Sequence, residues 1–450
     1  MANRSWKTAL SIMASASVAS VGLLYGGVLA ARFPSSKASS LTHLTSKKIT
    51  LTMWVLPVTV EKETAEADAQ AFHKLHPNVT IKVEESAAVG NTASDVAAAA
   101  GHTLPDIMWS ADVLTDFEAQ HGILMNLSPY MKAYGYKLSM FREGMMKLGQ
   151  YDGNQYVIPR GFDQVMVVYN PVLFKKFHVP LPTEGWTWST FVKDSKLLTR
   201  KVGNTQYYAL GSNSTDSWYA IYDPFMRSFG GHILAPNGKT TTIDSPAVVK
   251  GGTELMNYGR EYTSWFANLP KDPFLTGQAA MEWAVRPQLD GWLTDNNHKW
   301  ALPGDPHLNF VNFPLLEPHP EIGAGMSGYA VSTDTKHPHT AAAFEMFLLS
   351  NAGELVRSRV AGSVPIRNDL AKSTVWRAFP PVGYKLNENA FVNFSKYDSV
   401  PPNLSVGATG PVETDIQNAL EEIQLKKMTP AQAFKQAAQQ INAILASNPQ

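Results

Sequence analysis

Apolar and polar residues alternate along the chain with two different periods, and the two periods follow one another. Residues 49–55 alternate as a half-buried strand does, residues 61–76 place apolar side chains at helical spacing, and residues 79–83 alternate again. Such a β-α-β unit predicts two parallel strands joined by a right-handed crossover. Strand and helix patterns continue to alternate in the rest of the chain, so the predicted fold class is α/β.

The third strand of this pattern ends at the most informative stretch of the sequence. A helix predicted over residues 94–100 ends on Gly101, and the apolar residues 107–109 then read as a buried strand that delivers Trp109 and Asp112 to its carboxyl end. In open α/β sheets, ligands bind outside the carboxyl ends of the strands. An indole beside a carboxylate at that edge is suited to a sugar, whose C–H face packs on a ring and whose hydroxyls need fixed polar partners.

The composition excludes several classes of protein. The chain has 450 residues, enough for two or three domains, and its 38 basic and 38 acidic residues give no net charge. The composition therefore lacks the excess of basic residues that would indicate a nucleic-acid partner. The chain has no cysteine, which excludes disulfides, thiolate metal sites, cysteine nucleophiles and an acylated lipoprotein anchor.

The amino terminus has the layout of an export signal. Arg4 and Lys7 precede the uncharged residues 8–31, as positive residues precede the apolar part of a signal peptide. The segment is either cleaved or kept as a single membrane anchor, since about 20 apolar residues can span a bilayer. We assign residues 1–38 to this signal peptide or membrane anchor and residues 39–47 to a linker. The predicted location is extracytoplasmic, in the periplasm or at the cell surface.

The remaining chain carries a series of short motifs in a fixed order. In chain order they are Gly101 to Asp106, Leu127-Ser128-Pro129, Asp152-Gly153-Asn154, Tyr169-Asn170-Pro171, Trp186-Thr187-Trp188, Gly230-Gly231, Gly277 to Met281, Gly325 to Ser332 and Val364 to Arg367. Each motif alone is unspecific, but together, at these spacings, they resemble the extracellular solute-binding proteins of ABC importers. The resemblance is to the sugar-binding family that includes maltose-binding protein, and it covers nearly all of residues 49–446.

This resemblance implies a two-lobe fold. It is the type II periplasmic-binding-protein-like fold, with two Rossmann-like α/β lobes joined by a hinge and each lobe built from two pieces of chain. The first lobe is expected to comprise residues 48–162 plus 318–366, and the second residues 163–317 plus 367–450. The chain is expected to cross between the lobes near residues 161–163, 316–325 and 363–368.

The resemblance also implies a function. Members of the family bind a sugar between the lobes, close on it, and deliver it to the transmembrane permease of an ABC transporter, which a separate ATPase powers. For this chain we expect a disaccharide or oligosaccharide ligand, no cofactor, no catalysis and a monomer.

Five candidate ligand residues lie on predicted loops and strand ends. Trp109 and Asp112 match the family's stacking ring and hydroxyl acceptor, and Asp163 lies on the predicted hinge, where similar proteins carry an acidic residue that reaches the ligand. Asp216 and Trp218 lie in a polar loop, where the ring is expected to form a second stacking platform. The alternatives are core positions for the two rings, a helix N-cap for Asp112 and a solvated loop carboxylate for Asp163.

A second group of candidates follows Gly277 to Met281. Trp283 is expected to stack on the ligand or to pack in the inner core, and Glu282 and Arg286 accompany it as hydrogen-bonding groups. In maltose-binding members the key ring lies a few residues further on, where this chain has Pro287. The identity of the sugar therefore cannot be carried over.

Two more candidates lie near the expected hinge. Ser327 lies two residues after Gly325, where the backbone is expected to come close to the ligand, so the Ser327 hydroxyl is expected to bond to it. Arg367 is expected either to reach the cleft or to fix the hinge, and we favour the second interpretation. Together with Gly323 and Gly328 this stretch also forms a literal GxGxxG. We reject a dinucleotide site, because that motif must follow a strand and open a helix, whereas a strand is predicted after this one.

Other functions compete with this interpretation. His337 and His339 are a possible metal pair, but no acidic partner lies at ligand spacing, so a solvated loop is expected. Asp112 and Asp163 would serve as the paired carboxylates of a glycosidase, although no catalytic motif accompanies them. A non-sugar solute, an adhesin or a chemoreceptor domain would reuse the same fold.

Overall fold

The computed structural model describes residues 41–90, 92–161, 163–211, 219–236, 238–265, 267, 269, 272–286, 308–378, 387–399 and 409–447. The predicted signal peptide or anchor at residues 1–38, part of the predicted linker, the candidates Asp216 and Trp218, and Pro287 lie outside the described residues. In the ranges that are described, we find no helix whose length and hydropathy would let it cross a bilayer.

The strands of the described residues are, in chain order, β1 Ile49–Val55, β2 Val79–Glu85, β3 Ile107–Ala111, β4 Gln150–Tyr151, β5 Asn154–Gln155, β6 Val157–Pro159, β7 Asp163–Gln164, β8 Met166–Tyr169, β9 Arg200–Val202, β10 Thr205–Leu210, β11 Ala279–Ala284, β12 Asn309–Asn312, β13 Ile322–Gly325, β14 Ser327–Val331 and β15 Asp398–Ser399.

The α-helices of the same residues are α1 Thr59–Leu75, α2 Thr92–Ala100, α3 Asp112–Gln120, α4 Ser128–Ala133, α5 Glu143–Leu148, α6 Pro171–Lys176, α7 Trp188–Leu198, α8 Tyr219–Ser228, α9 Pro246–Tyr262, α10 Pro338–Leu348, α11 Asn351–Ala361, α12 Asn368–Lys372, α13 Ala390–Asn393, α14 Thr409–Gln424 and α15 Pro430–Ser447.

The first sheet has the strand order β2-β1-β3-β14-β6 and forms the centre of the first lobe. Strands β1, β2 and β3 are parallel, as the β-α-β pattern predicts, whereas β14 and β6 add two antiparallel pairings. Strand β1 alternates buried with more exposed residues, but all five residues of β3 are buried. A strand covered on both faces shows no alternation, which is why its apolar run was its only signal.

The second sheet has the order β12-β8-β11-β10-β9 and forms the centre of the second lobe. Neighbouring residues of β8 serve different cores, because side chains alternate between the faces of a strand. Val167 and Tyr169 pack with the helices of the second lobe, and Met166 and Val168 join the apolar cluster that includes Phe391. The predicted two-lobe α/β fold is therefore confirmed.

A third, small sheet joins the two lobes where the chain crosses between them. Its central strand, β13, pairs antiparallel with β7 and parallel with β15. The chain passes from the first sheet to the second between β6 and β8, and returns between β12 and β14. These segments include two of the expected crossings, while the lobe boundaries themselves remain a prediction.

An ion pair holds the third strand of this junction. The Arg142 Nε and Nη2 atoms donate to the two carboxylate oxygens of Asp398 at 2.5 and 2.6 Å, and Gln164 Nε2 donates to Asp398 Oδ1 at 2.7 Å. Burial raises the pKa of Asp398, and the hydrogen bonds and charge of Arg142 oppose that effect. The two-point contact fixes β15 to Arg142, the residue before α5, with defined geometry, and the hydrogen bond from Gln164 links β15 to β7.

Candidate functional site

Asp112 is fixed on three sides by the protein. Its Oδ1 accepts a hydrogen bond from the Val113 backbone N–H at 2.8 Å, and its Oδ2 accepts from Met326 N at 2.9 Å and from the Tyr219 hydroxyl. The Asp112 backbone N–H donates to the Met326 carbonyl at 3.1 Å. The N-cap of α3 is Ala111, so the expected alternative of Asp112 as N-cap is wrong; it is the first helical residue, where a negative charge favours the helix.

Burial and hydrogen bonding act in opposite directions on this carboxyl group. Removal from water raises the pKa of Asp112, and the hydrogen bonds from Tyr219, Met326 and Val113 oppose that effect because they favour the charged form. The group is therefore a buried acceptor that the surrounding structure supplies with donors.

Trp109 lies in the core of the first lobe and is 3% exposed. A β-carbon added to Gly90 would lie 3.3 Å from Trp109 Cζ3 and 3.5 Å from Leu56 Cδ2, so the Gly90 loop covers the ring. Among the described residues, the indole N–H has no hydrogen-bond acceptor. Trp109 therefore occupies a core position, which was the alternative to a ligand-stacking role, because a ring covered in this way does not present an open stacking face.

Ser327 and Arg160 lie beside Asp112 on the first lobe. Ser327 begins β14 directly after Met326 and pairs with Ala111 of β3. Arg160 follows β6, and its Nε donates to the Ser327 hydroxyl at 2.9 Å while Nη2 donates to Glu61 Oε1 at 2.5 Å. Burial raises the pKa of Glu61, and the charge of Arg160 opposes that effect. The ion pair thus aims the guanidinium at Ser327.

The second lobe contributes Tyr219 of α8 and Glu413 of α14. Burial, followed by the neighbouring charge of Asp112, raises the pKa of Glu413 to about 7. Burial also raises the pKa of Tyr219, as do the charge of Asp112 and their hydrogen bond. We call the half-buried polar residues that meet here the junction cluster; they are Asp112, Arg160, Tyr219, Ser327 and Glu413.

The backbone of Asp163 reaches the same region. In the antiparallel pair of β7 and β13, Asp163 lies opposite Gly325, two residues before Ser327. The structure therefore brings Asp112, Ser327, the neighbouring Trp109 and the main chain of Asp163 together at the carboxyl end of β3. Asp163 therefore lies in one of the strands of the small sheet between the lobes. Its expected role as a hinge residue that reaches the ligand stays a prediction.

Glu282, Trp283 and Arg286 lie elsewhere, in and after β11, all of whose residues are buried. Trp283 is 1% exposed, with its ring centroid 5.2 Å from that of Phe313 and 6.1 Å from that of Tyr258. Trp283 therefore packs in the inner core, which was the alternative to stacking on the ligand, because β11 is an internal strand with both faces covered. An open stacking ring is not found there.

The two polar neighbours of Trp283 are also buried. Glu282 is fully buried, and a β-carbon on Gly211 would meet its carboxylate, so the glycine makes room for it. Arg286 is 2% exposed, and its Nη2 lies 3.5 Å from Glu388 Oε1. These contacts assign both groups to the interior of the second lobe and separate them from the junction cluster.

Arg367 is the N-cap residue of α12, although its side chain makes no capping hydrogen bond there. Its guanidinium pairs with Asp369 at 2.9 Å and donates to the Leu349 carbonyl at 3.3 Å, while its backbone bridges to Phe141. These contacts hold the segment between α11 and α12, which includes the expected crossing near residues 363–368. The favoured role of Arg367, to fix the hinge, stays a prediction.

The sequence did not single out Glu61, Arg160, Tyr219 or Glu413. Arg160 had a usable signal, since it directly follows a buried strand, and Tyr219 adjoins the candidate Trp218. Glu413 lies in a helix of mixed polarity and had none. As for metals, the described ranges contain no group of three His, Cys, Asp or Glu side chains able to hold an ion, and His339 instead meets the Tyr130 hydroxyl at 3.0 Å.

Two α/β lobes joined by crossing strands, with polar groups of both lobes meeting between them, define a solute-binding protein. The family model for bacterial extracellular solute-binding proteins matches residues 57–355, and the chain belongs to this family. The predicted family resemblance is therefore confirmed.

Solved structures share this fold at low sequence identity. An ABC substrate-binding protein from Listeria monocytogenes, in complex with cycloalternan, is 22% identical, with a TM-score of 0.72 over 88% of this chain and 98% of its own. The sugar-binding protein MalE from Xanthomonas citri is 15% identical, with a TM-score of 0.75 over 89% and 98%. UgpB from Mycobacterium tuberculosis, in complex with glycerophosphocholine, is 18% identical, with a TM-score of 0.72 over 89% and 99%.

Proposed function

We propose that this protein is the extracytoplasmic carbohydrate-binding component of an ABC importer. It binds a disaccharide or an oligosaccharide between the lobes and delivers it to a membrane permease that a separate ATPase powers. The observation that carries the proposal is the junction cluster, in which half-buried polar groups of both lobes meet at the carboxyl end of β3. The cycloalternan complex of the Listeria protein and the sugar-binding protein MalE of Xanthomonas citri support the choice of ligand class.

The chemistry of the junction cluster suits a polyhydroxylated ligand. Sugar hydroxyls both donate and accept, so a site needs both kinds of partner. Arg160 provides donors, Glu413 provides acceptors, and Ser327 provides both. We propose that Asp163, Asp216 and Trp218 complete the site, with the Trp218 ring as stacking platform, because all three adjoin elements that reach the cluster.

Lobe closure supplies the mechanism. A ligand held by one lobe shifts the hinge only if it gains further contacts in the closed form. The junction cluster draws its groups from both lobes, so a ligand there would gain such contacts on closure. The closed form would then present both lobes to the permease as one surface.

The lobe boundaries and the location of the protein belong to the same proposal. We assign residues 48–162 plus 318–366 to the first lobe and residues 163–317 plus 367–450 to the second. The amino-terminal segment exports the chain or anchors it outside the cytoplasm. We further propose that the protein binds without catalysing, which an assay for product formation on each bound oligosaccharide would test.

A second ligand class has a specific observation in its favour. Asp112 and Glu413 place two carboxyl groups in one cluster, and UgpB, with the same fold, was solved with glycerophosphocholine. A quaternary ammonium group would be attracted to that pair, as it is to negative and aromatic surroundings generally. The alternative ligand is therefore a glycerol phosphodiester with a cationic head.

A thermal-shift panel on the full-length chain separates these ligands. The panel comprises maltose, maltotetraose, cycloalternan, glycerophosphocholine, putrescine and a mixture of amino acids. A ligand at 100 times its dissociation constant should stabilise the fold by about 2.7 kcal/mol, which is a readable shift. A rise with the sugars alone supports a carbohydrate receptor, and a rise with glycerophosphocholine alone selects the second ligand.

Asp163→Ala tests the position of the site. We expect affinity for the stabilising sugar to fall about tenfold or more, since a hydrogen bond to a charged group contributes about 1.5–3 kcal/mol. Titration calorimetry measures the affinity, and the unfolding midpoint should stay unchanged. Asp244→Ala, at an exposed position of the second lobe, is the matched control. Unchanged affinity in Asp163→Ala would place the site elsewhere.

A further inference from the structure

Asp112 joins three different parts of the molecule. Its backbone belongs to the first lobe, Met326 belongs to the crossing segment between β13 and β14, and Tyr219 belongs to the second lobe. The carboxylate accepts three hydrogen bonds from the protein. A carboxylate has about four acceptor positions, so at most about one is left for a ligand hydroxyl.

Tyr219 is held in place from its own side. The residues that follow it in α8 are packed in the core of the second lobe, including Ala220, Ile221 and Tyr222. A β-carbon on Gly323 of β13 would collide with the Ala220 carbonyl, so the first turn of α8 rests directly on the crossing strand. The Tyr219 side chain therefore extends past the hinge to the first lobe from a fixed base.

The contact between the two side chains is of the strong kind. A hydroxyl that donates to a carboxylate forms a charge-assisted bond, about twice as strong as a neutral one. Both residues are half-buried, so the bond is partly shielded from competing water. Glu413 and Tyr222 of the second lobe and Met326 of the crossing segment are the other groups that act on Asp112 and Tyr219.

We propose that the hydrogen bond between the Tyr219 hydroxyl and the Asp112 carboxylate is an interlobe latch that holds the two lobes together before any ligand binds. Asp112 is then a positioning residue and not an acceptor for ligand hydroxyls. The latch bears on the proposed function, because a protein that is already partly closed would lose less conformational entropy when a sugar closes it completely. Its existence, however, does not depend on which ligand binds.

The latch is tested without ligand, by single-molecule energy transfer between the lobes. The chain has no cysteine, so Glu66→Cys in α1 and Lys196→Cys in α7 place one dye on an exposed position of each lobe. Tyr219→Phe removes the hydroxyl and keeps the ring. We expect the ratio of closed to open molecules to fall about tenfold, as loss of a hydrogen bond to a charged group implies.

A double-mutant cycle and a matched control complete the design. Asp112→Asn should also lower the ratio, and adding it to Tyr219→Phe should change little more, because the two substitutions break the same bond. Tyr222→Phe, on the same helix, should leave the ratio unchanged. If Tyr219→Phe does not fold, Asp112→Asn carries the test alone.

Three results would overturn the latch. They are a ligand-free wild type that is already open, a Tyr219→Phe variant with the wild-type distribution, and additive effects in the double variant. The failure of every sugar in the thermal-shift panel would overturn the proposed ligand but not the latch, because the energy-transfer measurement contains no ligand.

Discussion

The two lobes have different interiors. The first lobe buries charged side chains between α1, α10, α11 and the first sheet, namely Asp68, Glu345, Glu354 and Arg357. Among the described residues, neither carboxylate oxygen of Asp68 or Glu345 has a hydrogen-bond partner. Arg357 donates to the Pro159 carbonyl at 2.9 Å and also to Leu348, so it ties α11 to the sheet.

The second lobe is filled with aromatic rings instead. Their planes are stacked, tilted or edge to face, and they form one continuous group, namely Trp188, Phe191, Phe225, Tyr258, Trp283 and Phe313. The centroids of Trp188 and Phe225 lie 4.9 Å apart, and those of Phe191 and Tyr258 lie 5.0 Å apart. Aromatic pairs at such spacings contribute more to stability than the burial of their apolar surface alone.

This difference assigns different tasks to the two lobes. The charged interior of the first lobe continues through Arg160 and Glu61 to the junction cluster, so it orients the polar groups of the site. The aromatic group of the second lobe includes Phe225 of α8 and serves as a base for that helix, while the buried charged side chains of this lobe, such as Asp223 and Glu282, are not members of the group. We therefore expect stability to respond to pH through the buried carboxylates of the first lobe, and to respond to lost volume through the aromatic group of the second lobe.

Trp283→Ala should have the largest effect. Removal of a fully buried indole leaves a cavity among the surrounding rings, which typically costs about 3–5 kcal/mol. The free energy of unfolding is measured by urea denaturation at pH 5 and pH 8, and the loss should be the same at both. Trp265→Ala, at the half-buried edge of the same group, is the matched control and should lose less.

A preserved stability in Trp283→Ala would mean that the aromatic group is not what holds the second lobe. A loss that depends strongly on pH would remove the distinction between the lobes, since no aromatic contact titrates between pH 5 and pH 8.

Asp68→Asn should have the next largest effect, which should grow from pH 5 upward and be nearly complete above pH 7. Burial raises the pKa of Asp68 from 3.8 to about 7, although Arg357 and Arg160 oppose the shift. Between these values the folded protein holds a proton that the unfolded chain has released, so the free energy of unfolding falls as pH rises. An asparagine does not titrate. The decrease from pH 5 to pH 8 should therefore be about 3 kcal/mol smaller in the variant, since about two pH units lie between pH 5 and the folded pKa.

Urea titrations of both proteins across this range provide the comparison. Asp244→Asn, which changes an exposed carboxylate of the second lobe, should give a curve parallel to that of the wild type. Parallel curves for Asp68→Asn and the wild type would show that the buried charges of the first lobe are fully compensated.

The two interiors also explain what the sequence could predict. The β1-α1-β2 unit could be predicted because its periodicity is local, and so could the two-lobe α/β fold once the family resemblance was known. The positions of Trp109 and Trp283 could not, because a ring after an apolar run fits a core and a cleft equally well. The pair of Arg160 and Glu61 joins residues 99 positions apart, and no local pattern encodes such a contact.

Gly90→Ala should have the smallest effect, and it tests the cover over Trp109. Gly90 has φ +80°, a left-handed conformation that costs a residue with a β-carbon about 1 kcal/mol, and the new methyl group would press on the indole at 3.3 Å. Gly153→Ala in the first lobe and Gly185→Ala in the second lobe share the positive φ, but their β-carbons would meet no atom within 4 Å. The three free energies of unfolding therefore separate backbone strain from contact with the ring, and Gly90→Ala should lose more than either control. Equal losses in all three variants would mean that the Gly90 loop yields easily and that the Trp109 ring can be uncovered for a ligand, as the sequence had suggested.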